Sequence, residues 1–217
     1  MPLAGNTVPL PGSPRVCSVD EVISLFRQRY RRVVTFLGYG ELGYEDPGAF
    51  QTIARREIAA FDSQEVVINA ATLVTFGFAH GIADIYEIAR SQGFRTSGVY
   101  PSVSLGSAES HGLSGFVEDI YFIEDQTWGG YLEGSALASP TLTALTSVTD
   151  EVVAIGGGEH TAQEIQEFVK CGIPVRYYAL EMNRAISSRW HQQRGGELPD
   201  YLGRAYRFWS RSFPEAS

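Results

Sequence analysis

Glu151-Val152-Val153-Ala154-Ile155-Gly156-Gly157-Gly158-Glu159-His160-Thr161-Ala162-Gln163-Glu164 is the stretch on which the fold turns. Its first five residues form a short, β-branched, apolar run, as expected of a strand covered on both faces of a parallel sheet. Three glycines break the run, and Thr161 to Lys170 then reads as a helix. A strand that passes through glycines into a helix front suits an anionic ligand. The backbone can approach closely without Cβ atoms, and unpaired N–H groups with the positive dipole end point at one spot.

The same alternation extends outward along the chain. Ser18-Val19-Asp20-Glu21 has capping-box spacing ahead of an amphipathic helix carrying Val22, Leu25, Phe26 and Tyr30. Val33 to Leu37 reads as a first strand entering Gly38-Tyr39-Gly40-Glu41-Leu42-Gly43, and Asp46-Pro47 opens a helix expected to reach about Phe61. Glu65 to Asn69 is a second strand, Ala70 to Gly77 its loop, and Ala79 to Ser91 a helix stopped by Gly93. Thr96 to Tyr100 and Phe116 to Ile123 follow as strands, a helix is expected within Gly129 to Val148, and Pro174 to Leu180 is a sixth strand after Glu151 to Ile155. Alternating strands and helices predict an α/β fold, a doubly wound, mostly parallel Rossmann-like sheet with helices on both faces. The expected organisation is a flexible N-terminal tail over 1–17, a nucleotide-binding domain over 18–180, and a helical extension of that domain over 181–217.

With 217 residues, 44% of them hydrophobic, the chain can bury one substantial core. A formal charge of −8 argues against a nucleic-acid partner, which would need a basic face. Lys170 is the sole lysine, and no Lys or Arg lies between Arg95 and Lys170. A phosphate bound in that stretch must therefore rest on main-chain amides and a helix dipole. Cys17 and Cys171 form neither a disulfide framework nor a zinc spacing, and His80, His111 and His191 lack metal-ligand spacing, so no metal and no resident cofactor are expected. The first fourteen residues do not resemble a signal peptide, and no apolar run approaches a membrane span, which points to the cytoplasm and to no membrane partner. The C-terminal segment carries Arg184, Arg189, Arg194, Arg204, Arg207 and Arg211 with Trp190, Tyr206 and Trp209. It is read either as packing on the domain or a second subunit, hence a homo-oligomer, or as lending an arginine to an anionic ligand.

In an open parallel sheet the ligand crevice lies beyond the carboxyl ends of the strands. The loops after the first and fifth strands are accordingly the candidates, giving Gly38, Tyr39, Gly40, Thr72, Gly77, Gly156, Gly157, Gly158, Glu159 and Thr161 as ligand-binding residues, with Glu164 and His160 as catalytic candidates. Neither glycine loop is G-x-G-x-x-G or a Walker loop, which disfavours a standard dinucleotide site or an ATPase.

The string Val153 to Glu164 resembles the G-G-x-G-T-x-x-E signature of the Lonely-guy family, lysine-decarboxylase-like proteins that act as nucleoside-monophosphate phosphoribohydrolases. Gly77-Phe78-Ala79-His80-Gly81, Ala89, and Gly93-Phe94-Arg95-Thr96-Ser97-Gly98-Val99-Tyr100-Pro101 are similar to that family's upstream block, so the likeness spans about Val33 to Leu180. The wider SLOG superfamily also includes a molybdenum-cofactor carrier protein and nucleotide-sensing domains. Two positions depart from the pattern. His160 stands at the last signature glycine, and Gly129 to Val148, where the hydrolases carry a helix arginine, has neither Arg nor Lys.

Each residue keeps two readings. Thr161-Ala162-Gln163-Glu164 is also a capping box, so Glu164 either caps its helix or meets the ribose as the glycosidic bond breaks. His160 is either a local hydrogen-bonding residue or an acid or base. Glu41 reads as solvated, Asn69 and Thr72 either cap backbone or touch a base, and Trp128 either packs or stacks on a ring. Two functions result: an N-glycosidic hydrolase acting on a nucleoside monophosphate, or a non-catalytic carrier or sensor of a nucleotide or phosphorylated pterin-type cofactor.

Overall fold

The structure is a computed structural model that describes residues 7–8, 16–70, 81–106, 108, 113–194 and 200–214. Nine strands are present among them: β1 (Thr7–Val8), β2 (Val16–Cys17), β3 (Arg32–Gly38), β4 (Val66–Ala70), β5 (Arg95–Pro101), β6 (Leu113–Ser114), β7 (Asp119–Ile123), β8 (Glu151–Ile155) and β9 (Val175–Tyr178). Seven α-helices accompany them: α1 (Val19–Arg29), α2 (Pro47–Ala59), α3 (Ile85–Ser91), α4 (Pro140–Val148), α5 (Glu159–Lys170), α6 (Arg184–Arg194) and α7 (Gly203–Ser212).

Seven strands form one sheet in the order β2-β7-β5-β4-β3-β8-β9, and each pairing in it is parallel. This is a Rossmann-like α/β fold. Sheet order grows one way from β3 through β4, β5 and β7, and the chain then crosses back to place β8 on the other side of β3. The switch point of the topology is thus the β3–β8 pair, in register from Val34↔Glu151 to Gly38↔Ile155. A crevice opens beyond the carboxyl ends of such a pair, which is where both glycine loops lie.

Helices cover both faces because both faces are apolar. Val34, Phe36, Ile68, Val153 and Ile155 pack under Phe50, Ala54 and Ile58 of α2 and Ile85, Tyr86 and Ile88 of α3. Val33, Leu37, Val67, Val99, Val152 and Ala154 pack under α1, α4 and α5 through Val22, Phe26, Ala144, Leu145, Ile165 and Phe168. Local chemistry sets the helix starts. Ser18 and Glu21 form a complete capping box on α1, and Asp46 accepts from Ala49 N–H ahead of Pro47 on α2.

Several boundaries differ from the sequence expectation. Val16–Cys17 and Thr7–Val8, within the stretch expected to be a loose tail, pair with β7 and β6. The strand expected over Phe116 to Ile123 begins at Asp119, because Val117 N–H closes a turn onto the Ser114 carbonyl. The helix expected from Ala79 is a 3-10 turn over Ile82–Asp84 before α3 proper. Most consequentially, α5 starts at Glu159 rather than Thr161, with Gly158 as N-cap.

Gly38 shows how tightly β3 and β8 approach at the crevice. The Tyr44 hydroxyl lies over it and donates to the Ile155 carbonyl at 2.9 Å. A Cβ at Gly38 would run into that hydroxyl and lie 2.6 Å from the Ile155 oxygen. Gly38→Ala is expected to cost about 1–3 kcal/mol by overpacking. Chemical denaturation should also show Gly38→Ala costing less in a Tyr44→Phe background, where the hydroxyl is gone.

Candidate functional site

A cavity of about 410 Å³ lies at the switch point. Its walls come from the end of β3 and the loop behind it (Gly38 to Leu42), from the front of α5 (Gly158 to Thr161 and Glu164), and from Ile82, Trp128 and Trp190. Of the residues expected at a ligand, Gly38, Tyr39, Gly40, Gly158, Glu159, Thr161, His160 and Glu164 come together here. Gly156 and Gly157 do not line it, and Thr72 and Gly77 lie outside the described residues.

The three glycines of the loop do different work. Gly156 (φ +60°) and Gly157 (φ +127°) hold conformations that side chains rarely adopt. Both turn toward the protein itself. A Cβ at Gly156 would strike the Tyr39 ring and lie 2.9 Å from the Leu180 carbonyl, and one at Gly157 would strike Thr161. Gly158 is the exception, since a Cβ there would meet nothing within 4 Å. The chain's own packing does not require a glycine at 158, whereas a ligand brought against the main chain would.

Directly behind Gly158, the N–H groups of Glu159, His160 and Thr161 precede the first intrahelical bond, Ala162 N–H to the Gly158 carbonyl at 3.0 Å. They have no acceptor among the described residues, as the first turn of a helix leaves its donors unpaired unless a cap or ligand takes them. Thr161 does not cap. Its hydroxyl donates to the Gly38 carbonyl at 3.3 Å, tying the helix front to the first glycine loop.

The capping-box reading of Thr161 and Glu164 therefore fails, because Thr161 is already inside the helix. Glu164 faces the cavity one turn into α5, with no hydrogen-bond or ion-pair partner among the described residues. It keeps some accessible surface, consistent with its place on the cavity wall. Burial among apolar neighbours raises its carboxyl to about 8, so it is mostly protonated at neutral pH.

The Tyr39 hydroxyl is taken up inside the protein. That hydroxyl donates to the Tyr201 carbonyl at 3.3 Å, and burial pushes the phenol well up despite an opposing hydrogen bond from the Gly157 main chain. Asn69 stands away from the cavity, wholly inside the sheet. It donates to the Thr35 hydroxyl and accepts from the Ser97 hydroxyl, each at 3.2 Å. Glu41, read as solvated, is on the cavity wall. No lysine or arginine lines the cavity among the described residues.

Trp128 is 58% exposed and presents its indole at the cavity. What fixes it there is Asp125, only 2% exposed and overlooked in the sequence. One carboxylate oxygen accepts from Thr127 N–H (2.8 Å) and hydroxyl (2.7 Å), the other from Thr141 N–H (3.0 Å) and hydroxyl (2.7 Å). Burial alone would raise the Asp125 carboxyl, but these four donors outweigh it and hold the group below its usual range. Asp125-x-Thr127 is an Asx-type turn legible in the sequence. Asp125→Asn turns one acceptor into a donor facing donors, with an expected loss of about 2 kcal/mol in chemical denaturation. Part of the order at Trp128 should go with it, read as a change in near-ultraviolet circular dichroism.

Trp190, read in the sequence only as part of the C-terminal segment, lines the cavity as well. It arrives on α6, which the chain clamps beside the first glycine loop through Asn183 N–H to the Gly43 carbonyl (3.1 Å) and Glu45 N–H to the Glu181 carbonyl (3.0 Å). No local motif announces such a placement.

Comparison with known proteins adds little to this geometry. No family model matches the chain, and no curated protein matches it. Among solved structures it is similar to TM1055, a structural-genomics target, at 15% identity over 66% of this chain and 72% of that one, with a TM-score of 0.44. The likeness is too slight to bear on the fold or on any residue's role. Among the described residues no helix is long and apolar enough to cross a membrane.

Proposed function

We propose that the cavity binds a nucleotide or a similar phosphorylated ring compound and that the protein is an N-glycosidic hydrolase, as its resemblance to the Lonely-guy family implies. The phosphate sits against Gly158 and the amides of Glu159, His160 and Thr161, the planar ring lies by Trp128, and the sugar passes Glu164. The observation that carries this reading is Glu164. It is a carboxylic acid, protonated at neutral pH, facing a cavity beside a helix front, and neither it nor the first donors of that helix has a partner among the described residues. A carboxyl in that state can give its proton to the departing base as the bond from C1′ to nitrogen breaks. The carboxylate left behind then faces the cationic sugar until water adds.

A second reading, a carrier or sensor without turnover, is favoured by the absence of any basic side chain among the described lining residues. One experiment separates the two. The protein is incubated with a panel of nucleoside monophosphates, and free base is followed by chromatography alongside the melting temperature. Base release supports the hydrolase, and stabilisation without product supports the carrier. Neither signal with any nucleotide would remove both readings.

A further inference from the structure

We propose that the groove between α5 and α7 is a second anion site, taking a linear polyphosphate chain. It adjoins the cavity, sharing Glu159 with it, and does not rest on the function assigned there. The groove encloses about 410 Å³, with Arg204, Arg207 and Arg211 of α7 along one wall and Ala162, Gln163 and Gln166 of α5 along the other. Positions 204, 207 and 211 are three and then four residues apart, so the guanidinium groups form one stripe along α7. From first to last the stripe spans roughly 10 Å at the helical rise per residue, which suits several linked anionic groups better than one.

The charge balance is local and opposite to that of the chain. Three arginines face a single lining carboxylate, Glu159, in a protein of net charge −8. Among the described residues, two of the arginines are held only by exposed ion pairs: Arg204 with Glu159 at 3.1 Å, and Arg207 with Asp200 at 2.7 Å. Such pairs contribute about 0–1 kcal/mol, so an incoming anion displaces them easily. Arg211 has no carboxylate partner among the described residues. Beyond Glu159, the α5 residues that line the groove carry no negative charge. Gln163 uses its carbonyl oxygen on Tyr131 N–H at 3.0 Å, leaving its amide NH2 as a donor. Phosphate oxygens prefer guanidinium forks and amide donors, and Phe208 gives the groove an apolar side that limits competition from water.

Inorganic tripolyphosphate titrated into the intact protein by calorimetry tests this. Saturable binding at one site per chain is expected, weakened about tenfold or more by Arg211→Glu and by a rise from low to high salt. Arg211 is exposed, so the variant folds, and Arg207→Gln provides a milder second variant with the same direction of effect. A nucleoside triphosphate run alongside separates the sources of the phosphate chain. Affinity equal to that of tripolyphosphate means the chain alone is read, and tighter binding means the nucleoside adds contacts beside it. No saturable binding, or binding that survives Arg211→Glu but is lost in Trp128→Ala, would overturn the proposal, the latter by putting the anion in the cavity.

Discussion

Arg176→Ala is expected to lower the unfolding free energy at pH 7 by about 2–4 kcal/mol, the range for stripping a partner from nearly buried charges, trimmed because Arg176 is itself partly exposed. At the end of the sheet away from the crevice, Arg176 of β9 binds Glu57 of α2 at 2.8 Å and also pairs with Glu151 of β8. Glu57 and Glu151 are only 7% and 6% exposed. Without the guanidinium, Glu151 keeps Arg32 at 2.6 Å, and Glu57 keeps Arg56 at 3.1 Å and the Tyr178 hydroxyl at 2.7 Å. Both carboxylates then lack their shared cation.

The pH dependence identifies the cause. Burial by itself would raise the Glu57 carboxyl, but the Tyr178, Arg56 and Arg176 contacts together hold it below its ordinary value. A folded pKa below the unfolded one contributes stability above the unfolded value, and that stability is lost as pH falls through the folded pKa. The Glu57 contribution to wild-type stability should therefore be lost only in acid, below the ordinary glutamate range. In Arg176→Ala the balance tips toward burial, so the variant regains stability relative to wild type as pH drops from 7 toward that range. Arg176→Met, which keeps the apolar stem, should recover only the packing part. A penalty independent of pH would mean that the arginine acts by packing alone.

The fold was legible where chemistry is local. Strands β3 and β8 are apolar runs ended by glycine, covered on both faces, and Ser18, Asp46 and their partners mark helix starts through side-chain caps. The start of α5 was misjudged for the same reason inverted. Gly158 caps without a side chain, and the threonine that looked like the cap spends its hydroxyl on Gly38. The glycine loop was visible, but not the direction in which each missing Cβ would point. Gly156 and Gly157 serve the protein's own close packing against Tyr39, Leu180 and Thr161, and only Gly158 is open. Trp190 reaches the cavity through contacts between segments more than a hundred residues apart, such as Asn183 with Gly43, which no periodicity encodes.

Glu164→Gln is expected to move activity and stability in opposite directions. As proton donor, Glu164 should account for about 10²–10⁴-fold of any base release, and glutamine, which has the same shape but no transferable proton, removes that factor. Stability should rise. In the fold the carboxyl titrates at about 8, while in the unfolded chain it ionises near the ordinary value of 4.5. A folded pKa above the unfolded one means that the unfolded state sheds its proton first, so native stability declines as pH climbs from that ordinary value to about 8 and levels off beyond. At pH 7 the cost to wild type is on the order of 2–3 kcal/mol, allowing for the accessibility Glu164 retains, and glutamine is free of it. The gain of Glu164→Gln over wild type should thus be small at pH 5 and largest above pH 8, while wild-type turnover falls above about pH 8 as the proton is lost. A limb near pH 8 that persists in the variant's residual activity would take the proton donor's role away from Glu164. A carboxyl with an ordinary pKa would behave differently, with glutamine leaving both stability and its pH dependence nearly unchanged. Equilibrium unfolding of the two proteins across pH 5 to 9, with no substrate present, decides whether this carboxyl is held neutral by the fold or ionises as an ordinary glutamate does.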